Sequence, residues 1–179
     1  MALATGENRS SRNDEISSAA KAEREQSRHG AAEAAPLRSP TQGRSSTNES
    51  DRITELLKTA KTIAVVGLAD SPFRPSYGVS HYMRAQGYCI IPVNPNITEW
   101  EGEKAYASLL DVPDKIDIVN IFRRPDAVPE VVEQAIQIKA PAIWMQEGVI
   151  HEAAAERARQ AGIFVVMDVC ILKEHRHRR

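Results

Sequence analysis

The stretch Thr62-Ile63-Ala64-Val65-Val66-Gly67, continued by Leu68-Ala69-Asp70-Ser71-Pro72-Phe73-Arg74-Pro75-Ser76-Tyr77-Gly78, decides the fold. Its first half is an unbroken apolar run with no polar alternation. Such a run suits a strand buried on both faces, as in a parallel sheet covered by helices. The glycine, serines and prolines that follow form a loop, and a helix is expected over about Ser76 to Gln86, ended by Gly87. A second apolar run, Cys89 to Val93, completes a βαβ unit.

The same alternation continues outward. Asp117 to Phe122 (DIVNIF), Ala142 to Met145 and Phe164 to Met167 read as further strands. Asp126 is expected to cap a helix whose Val128, Val131, Val132, Ala135 and Ile136 share one face, and His151 to Ala161 is a helix stopped by Gly162. Upstream, Asp51 is expected to cap a short helix carrying Ile53, Leu56, Leu57 and Ala60 on one stripe. Trp100, Tyr106 and Leu109 mark Asn94 to Leu110 as a loop with a short edge strand and a turn of helix. The residues His175 to Arg179 read as a solvated basic end. The predicted class is α/β: a Rossmann-like, doubly wound, mostly parallel sheet of about five strands with helices on both faces.

Residues 1–49 differ in kind. They contain no aromatic residue and draw much of their apolar content from alanine, which cannot offset the entropy of ordering a chain. They are expected to be a disordered tail, with a transient helix over Ile16 to Gln26, and residues 50–179 the folded domain. A transit peptide is the alternative, since Arg9, Arg12, Arg24 and Arg28 lie among serines, but Glu7, Asp14, Glu15, Glu23, Glu25 and Glu33 oppose the acid-poor pattern.

Composition narrows the functional classes. With 23 Lys+Arg against 24 Asp+Glu, a net charge of −1 and 42% hydrophobic residues, the chain has no general electrostatic reason to bind nucleic acid or an anionic membrane. No apolar run approaches the ~20 residues that span a bilayer, and the first residues lack the apolar stretch expected of a secretory signal. Cys89 and Cys170 lack CxxC spacing and are too few for a disulfide scaffold, so a reduced, cytoplasmic protein is expected.

In doubly wound sheets the ligand lies beyond the carboxyl ends of the strands. After the first strand, Gly67 permits close backbone approach, Ser71 and Ser76 offer hydroxyls, Arg74 offers a charged fork, and the following helix start favours an anion. These form an expected phosphate or pyrophosphate cradle; the alternative is a plain loop with Ser76 as a helix cap. NAD is disfavoured, because the next glycine after Gly67 is Gly78 rather than a GxGxxG partner. The second strand also ends Val93-Asn94-Pro95-Asn96 without the ribose-binding acid. No GxxxxGK[ST] loop occurs. After the third strand, Phe122-Arg123-Arg124 pairs two cations with an aromatic ring, suited to further phosphate and to a base or acyl chain, or else simply a core ring with surface arginines. After the fourth, Gln146-Glu147-Gly148 supplies an amide, a carboxylate and a turn.

Read together, VVGLADSPFRPSYGVSHYMRAQGYCIIPVNP (65–95), IWMQEGVI (143–150) and VVMDVCILKEH (165–175) resemble the bacterial CoA-binding domain proteins. These are small Rossmann-like relatives of the CoA-binding domain of the succinyl-CoA synthetase α subunit, and the resemblance covers about Ile53 to His175. It implies that coenzyme A or an acyl-CoA binds at the strand ends. Gly67, Leu68, Ala69, Ser71, Arg74, Pro75 and Ser76 would lie on the phosphate side, and Val93, Asn94 and Pro95 on the adenosine side. Phe122, Arg123, Arg124 and Gln146 would flank the same crevice. The family's last motif usually reads MDRC, whereas here it is Met167-Asp168-Val169-Cys170, so an arginine beside Asp168 is missing.

No catalytic or metal-ligating set is apparent. In CoA ligases that the domain resembles, the reactive phosphohistidine lies outside the CoA-binding domain. Cys170, Glu174 and His175 would cluster if the end were helical, which would activate a thiol, but no third orienting group accompanies them. Cys89 is read as a small buried hydrophobe. The expectation is a non-catalytic binding or regulatory module for CoA, presenting it to a protein partner. The rivals are a subunit or fragment of an acyl-CoA ligase, a nucleotide-dependent oxidoreductase, and a scaffold that binds no nucleotide.

Overall fold

The TIAVV run is a strand, β1 (Thr62–Val66), and Ile63 to Val66 are all buried. The computed structural model describes residues 46–179. A helix, α1 (Ser46–Thr59), precedes β1, and α2 (Pro75–Ala85) leads to β2 (Cys89–Val93). A small antiparallel hairpin follows, β3 (Glu99–Trp100) with β4 (Glu103–Lys104), then β5 (Ile118–Ile121) and α3 (Val128–Gln137). The chain closes with β6 (Ala142–Met145), α4 (Glu152–Gln160), β7 (Phe164–Val166) and α5 (Ile171–His177).

The five longer strands form one sheet in the order β2-β1-β5-β6-β7, and every neighbouring pair is parallel. Alternate β1 residues feed two cores. Ala64 and Val66 pack with Val131, Val132, Ala135, Ala155 and Ala158 of α3 and α4. Ile63 and Val65 pack with Ile53 and Leu57 of α1, Val79 and Met83 of α2, and Ile171 of α5. Helices therefore cover both faces, which is why β1 carries no polar alternation. Pro92, in the edge strand β2, lacks an N–H, and its carbonyl faces outward to the Tyr106 N–H at 2.9 Å, so pairing with β1 loses nothing. The strand order reverses at β1, between β2 and β5, and that reversal is where a crevice opens.

Several expected details differ. Asp51 lies inside α1, which starts at Ser46, within the segment assigned to the tail. The rest of the tail reading falls on residues 1–45, outside the described residues. Asp126 does not cap α3: Pro125–Ala127 is a separate single 3-10 turn, and α3 opens with Pro129 in its first turn, where a missing N–H costs nothing. Likewise Pro75 opens α2 with Arg74 at the cap position, and Ser76 is not the cap. Cys89 is exposed rather than buried, at the first position of the edge strand. The basic end is not a solvated tail, since it forms α5 and docks. The Tyr82 hydroxyl meets His175 Nδ1 at 3.0 Å, and the rings of Tyr82 and Tyr88 each lie edge-on to His175 at 5.7 Å. Arg178 pairs with Glu174 and donates to Thr54 Oγ1 of α1 at 3.1 Å. Burial, with the charge of Arg179, holds the His175 imidazole below its ordinary value.

Candidate functional site

Gly67 is the closest approach of two strand ends. Its φ is +87°, and a Cβ there would stand 2.6 Å from the Phe122 carbonyl oxygen and 2.8 Å from Arg123 Cδ. Only glycine fits both the backbone angle and the space. The Gly67 N–H donates to Val93 O at 2.8 Å and the Phe122 N–H to Val66 O at 2.9 Å, so the ends of β2, β1 and β5 are tied edge to edge.

The loop after Gly67 is built from its own polar groups. The Leu68 side chain is fully buried, and its carbonyl accepts from Asn94 Nδ2 at 2.9 Å, while Asn94 Oδ1 accepts the Asn96 N–H at 3.0 Å. Ser76 Oγ accepts the Ala69 N–H at 3.1 Å, and the Ser71 carbonyl accepts the Arg74 N–H at 3.0 Å. Asn94, Ser71 and Ser76 thus shape the loop, and Leu68 anchors it.

The arginines are left over. Among the described residues, no hydrogen bond or ion pair engages the side chain of Arg74, which is exposed, or of Arg123, which is half-buried. Arg124 lies 3.7 Å from Asp126 in a pair that is open to solvent on both sides. Three guanidinium groups therefore face one opening.

That opening is a cavity of about 720 Å³ over the ends of β1, β5 and β6. Gly67, Ala69, Arg74, Pro75, Ser76, Phe122, Arg123, Arg124 and Gln146 all line it, together with Val79, Pro125, Glu147, Gly148, Val149 and Cys170. Val93 and Pro95 line a neighbouring groove of about 100 Å³, and Arg123 lines both. Leu68, Ser71 and Asn94 are not on either wall.

Gln146 is 4% exposed, and its Nε2 donates to Oδ1 of Asn120, itself 1% exposed, at 2.7 Å. This buried amide pair fixes Gln146 at the crevice wall, and no described protein group donates to its Oε1. On the far wall, the Gly148 N–H donates to Asp168 Oδ1 at 2.8 Å, Lys173 pairs with Glu147 at 2.5 Å, and Trp144 Nε1 donates to Val169 O at 2.7 Å. Asp168, at φ 60°, thereby takes a backbone partner where an arginine was missed in the sequence. The pairing with Glu147 raises the Lys173 ammonium above its ordinary value.

The supposed Cys170, Glu174 and His175 cluster does not form. The end is helical, yet Glu174 turns to Arg178, His175 turns to Tyr82, and Cys170 alone lines the crevice. Among the described residues, no group of three or more His, Cys, Asp or Glu side chains converges to hold a metal ion, and no helix is long and apolar enough to cross a membrane. Asn120 was absent from the sequence-based site, Glu147 and Gly148 were read there only as the carboxylate and turn beside Gln146, and Cys170 only as part of the cluster with Glu174 and His175. Asn120 is hidden as the lone polar residue inside the apolar run DIVNIF, where a buried amide needs a partner.

An open parallel α/β sheet, helices on both faces and a crevice at its strand reversal, defines a Rossmann-like fold. Within it, the chain belongs to the CoA binding domain family, whose model matches residues 61–176. It is 46% identical over 123 residues to the uncharacterized protein YneT of Bacillus subtilis (strain 168), covering 69% of this chain and 91% of that one. A hypothetical protein from Pyrococcus horikoshii OT3 shares its structure with a TM-score of 0.70 at 38% identity, covering 72% of this chain and 90% of that one. It is also 33% identical over 79 residues to the ADP-forming acetate–CoA ligase II of Archaeoglobus fulgidus, which covers 43% of this chain and only 12% of the ligase.

Proposed function

We propose that the crevice binds coenzyme A or an acyl-CoA and that the protein acts as a non-catalytic binding or regulatory module in the cytoplasm. The observation that supports this reading is the set of guanidinium groups of Arg74 and Arg123, unpaired among the described residues, with Arg124, around the glycine turn at the strand reversal. Coenzyme A carries a diphosphate and a further ribose phosphate, and planar guanidinium forks match such groups. Gly67, Ala69, Pro75 and Ser76 form the wall against which the diphosphate would rest, with Arg74 and Arg123 as its counter-charges. Leu68, Ser71 and Asn94 hold that wall in shape. The groove of Val93 and Pro95, joined to the crevice through Arg123, suits the adenosine end. Phe122 and Val149 offer apolar contact to the arm, and Gln146 Oε1 an acceptor for its amides.

The oxidoreductase reading is disfavoured on the same residues. β2 is followed by Asn94, whose amide is already committed to Leu68 and Asn96, and it presents no carboxylate for an NAD ribose. The second reading, a ligase fragment acting with another chain, is favoured by the similarity to acetate–CoA ligases. Calorimetric titration with CoA, acetyl-CoA, NAD, NADP and ATP tests the proposal. Saturable binding of CoA or its thioester, with little for NAD, is expected; NAD binding without CoA would overturn it. Co-purification of a nucleotide-binding partner that restores CoA ligation would favour the second reading.

A further inference from the structure

The strand order gives a direction to the crevice. From β1 the sheet runs through β5 to β6, two steps at ~4.8 Å each, or about 10 Å along the strand ends that the cavity covers. The cationic groups crowd the start of this path, at Gly67, Arg74 and Arg123. At its far end stands Cys170, half-buried on the crevice wall. Between them Gln146, fixed by its Nε2 bond to Asn120, lines the crevice with an Oε1 that accepts from no described protein group and is free to accept from a polar arm.

The position of Cys170 is fixed from several sides. Trp144 Nε1 holds the carbonyl of Val169, the Val169 N–H reaches Met145 O at 3.4 Å, and Ile171, fully buried, anchors the residue after it. Asp168 and Lys173 staple the same segment to Gly148 and Glu147. None of these contacts uses the Cys170 thiol.

We infer that Cys170 accepts the CoA thiol as a mixed disulfide, so that the crevice responds to oxidised coenzyme A. This rests on the reading that the crevice binds CoA with its phosphates near Gly67. The oxidant is a CoA disulfide. The Cys170 thiolate attacks the CoA sulfur, the S–S bond between Cys170 and CoA forms as the original S–S bond breaks, and the other thiol departs as a thiolate that takes up the proton Cys170 released. Thiol–disulfide exchange of this kind needs no external electron acceptor.

The test is intact-mass spectrometry after incubation of the full chain with CoA disulfide, and in parallel with glutathione disulfide. Desulfo-CoA, which lacks the thiol, is titrated separately by calorimetry. The expected result is one adduct, of CoA less two hydrogens, reversed by dithiothreitol, absent in Cys170→Ser and retained in Cys89→Ser. It should form about tenfold or more faster than the glutathione adduct, because the bound nucleotide holds its sulfur at the thiol, and excess desulfo-CoA should slow it. Binding of desulfo-CoA without an adduct at Cys170, or an adduct on the exposed Cys89 at an equal rate, overturns the inference and leaves the CoA reading standing. Absence of desulfo-CoA binding overturns both.

Discussion

Gly67 shows how much of the site depends on one residue. Its positive φ and the 2.6 Å distance that a Cβ would make with the Phe122 carbonyl are separate penalties on any side chain. Gly67→Ala should cost about 1–3 kcal/mol for the backbone conformation alone, with the contact adding to it. Chemical denaturation checks this, and an unchanged midpoint would mean that the β1 and β5 ends do not meet as described. Arg74 makes the opposite prediction. It is exposed and has no partner among the described residues, so Arg74→Ala should leave stability within about 0.5 kcal/mol. The same change should weaken CoA binding by about 1–3 kcal/mol if the guanidinium pairs with phosphate. An unaltered dissociation constant removes Arg74 from the site. The strand-end residues were legible because ligand-facing positions follow directly from where each apolar run stops. Asn120 was not, and Cys170 was read into a cluster with Glu174 and His175 rather than onto the crevice wall, since both placements depend on which strands are neighbours, and that is absent from any local pattern.

At the scale of elements, apolar periodicity located the strands well and the starts of α2 and α4 to within a residue, while the starts of α1 and α3 were misread. Asp51 and Asp126 carry good capping side chains, but a proline with no N–H to satisfy or an earlier turn of helix set the actual boundaries. The stretch Asn94 to Leu110 was read as a loop with one short edge strand and a turn of helix; the turn of helix is there at Leu109–Asp111, while the strand is a separate two-stranded hairpin, β3–β4. In the structure its turn residue Glu101, at φ 47°, accepts from the Tyr77 hydroxyl at 2.8 Å and meets His81 Nδ1 at 2.9 Å and Arg84 at 3.3 Å. Burial alone would raise the Glu101 carboxyl, but the hydrogen bonds from Tyr77 and His81 and the charge of Arg84 outweigh it and hold the group below its ordinary value. A depressed carboxyl contributes stability that is present above the unfolded value of 4.5 and is lost as the pH falls through the folded one. Glu101→Gln should therefore flatten the loss of stability on acidification below about pH 4.5, measured by denaturation at several pH values. An equally steep loss in the variant would show that Glu101 does not latch the hairpin to α2.

At the scale of the whole molecule, the alternation of strands and helices made the doubly wound sheet legible, and the strand reversal then dictated where to look. The docking of α5 was not, because His175 to Arg179 are charged and their burial partners, Tyr82, Tyr88 and Thr54, lie far away in the sequence. The fold therefore has two cationic ends. One is the crevice of Arg74, Arg123 and Arg124. The other is a cavity of about 320 Å³ lined by Lys58, Lys61, His175, Arg178 and Arg179 at the opposite ends of the strands. Phosphate affinity alone would not distinguish them, and the central claim is about place as well as ligand. Hydrogen exchange of the full chain with and without CoA tests both together. Slowed exchange at residues 67–76, 122–124 and 146–149, saturating with CoA, is the expected result. Protection confined to α1 and α5, or no protection at saturating CoA, would contradict the account.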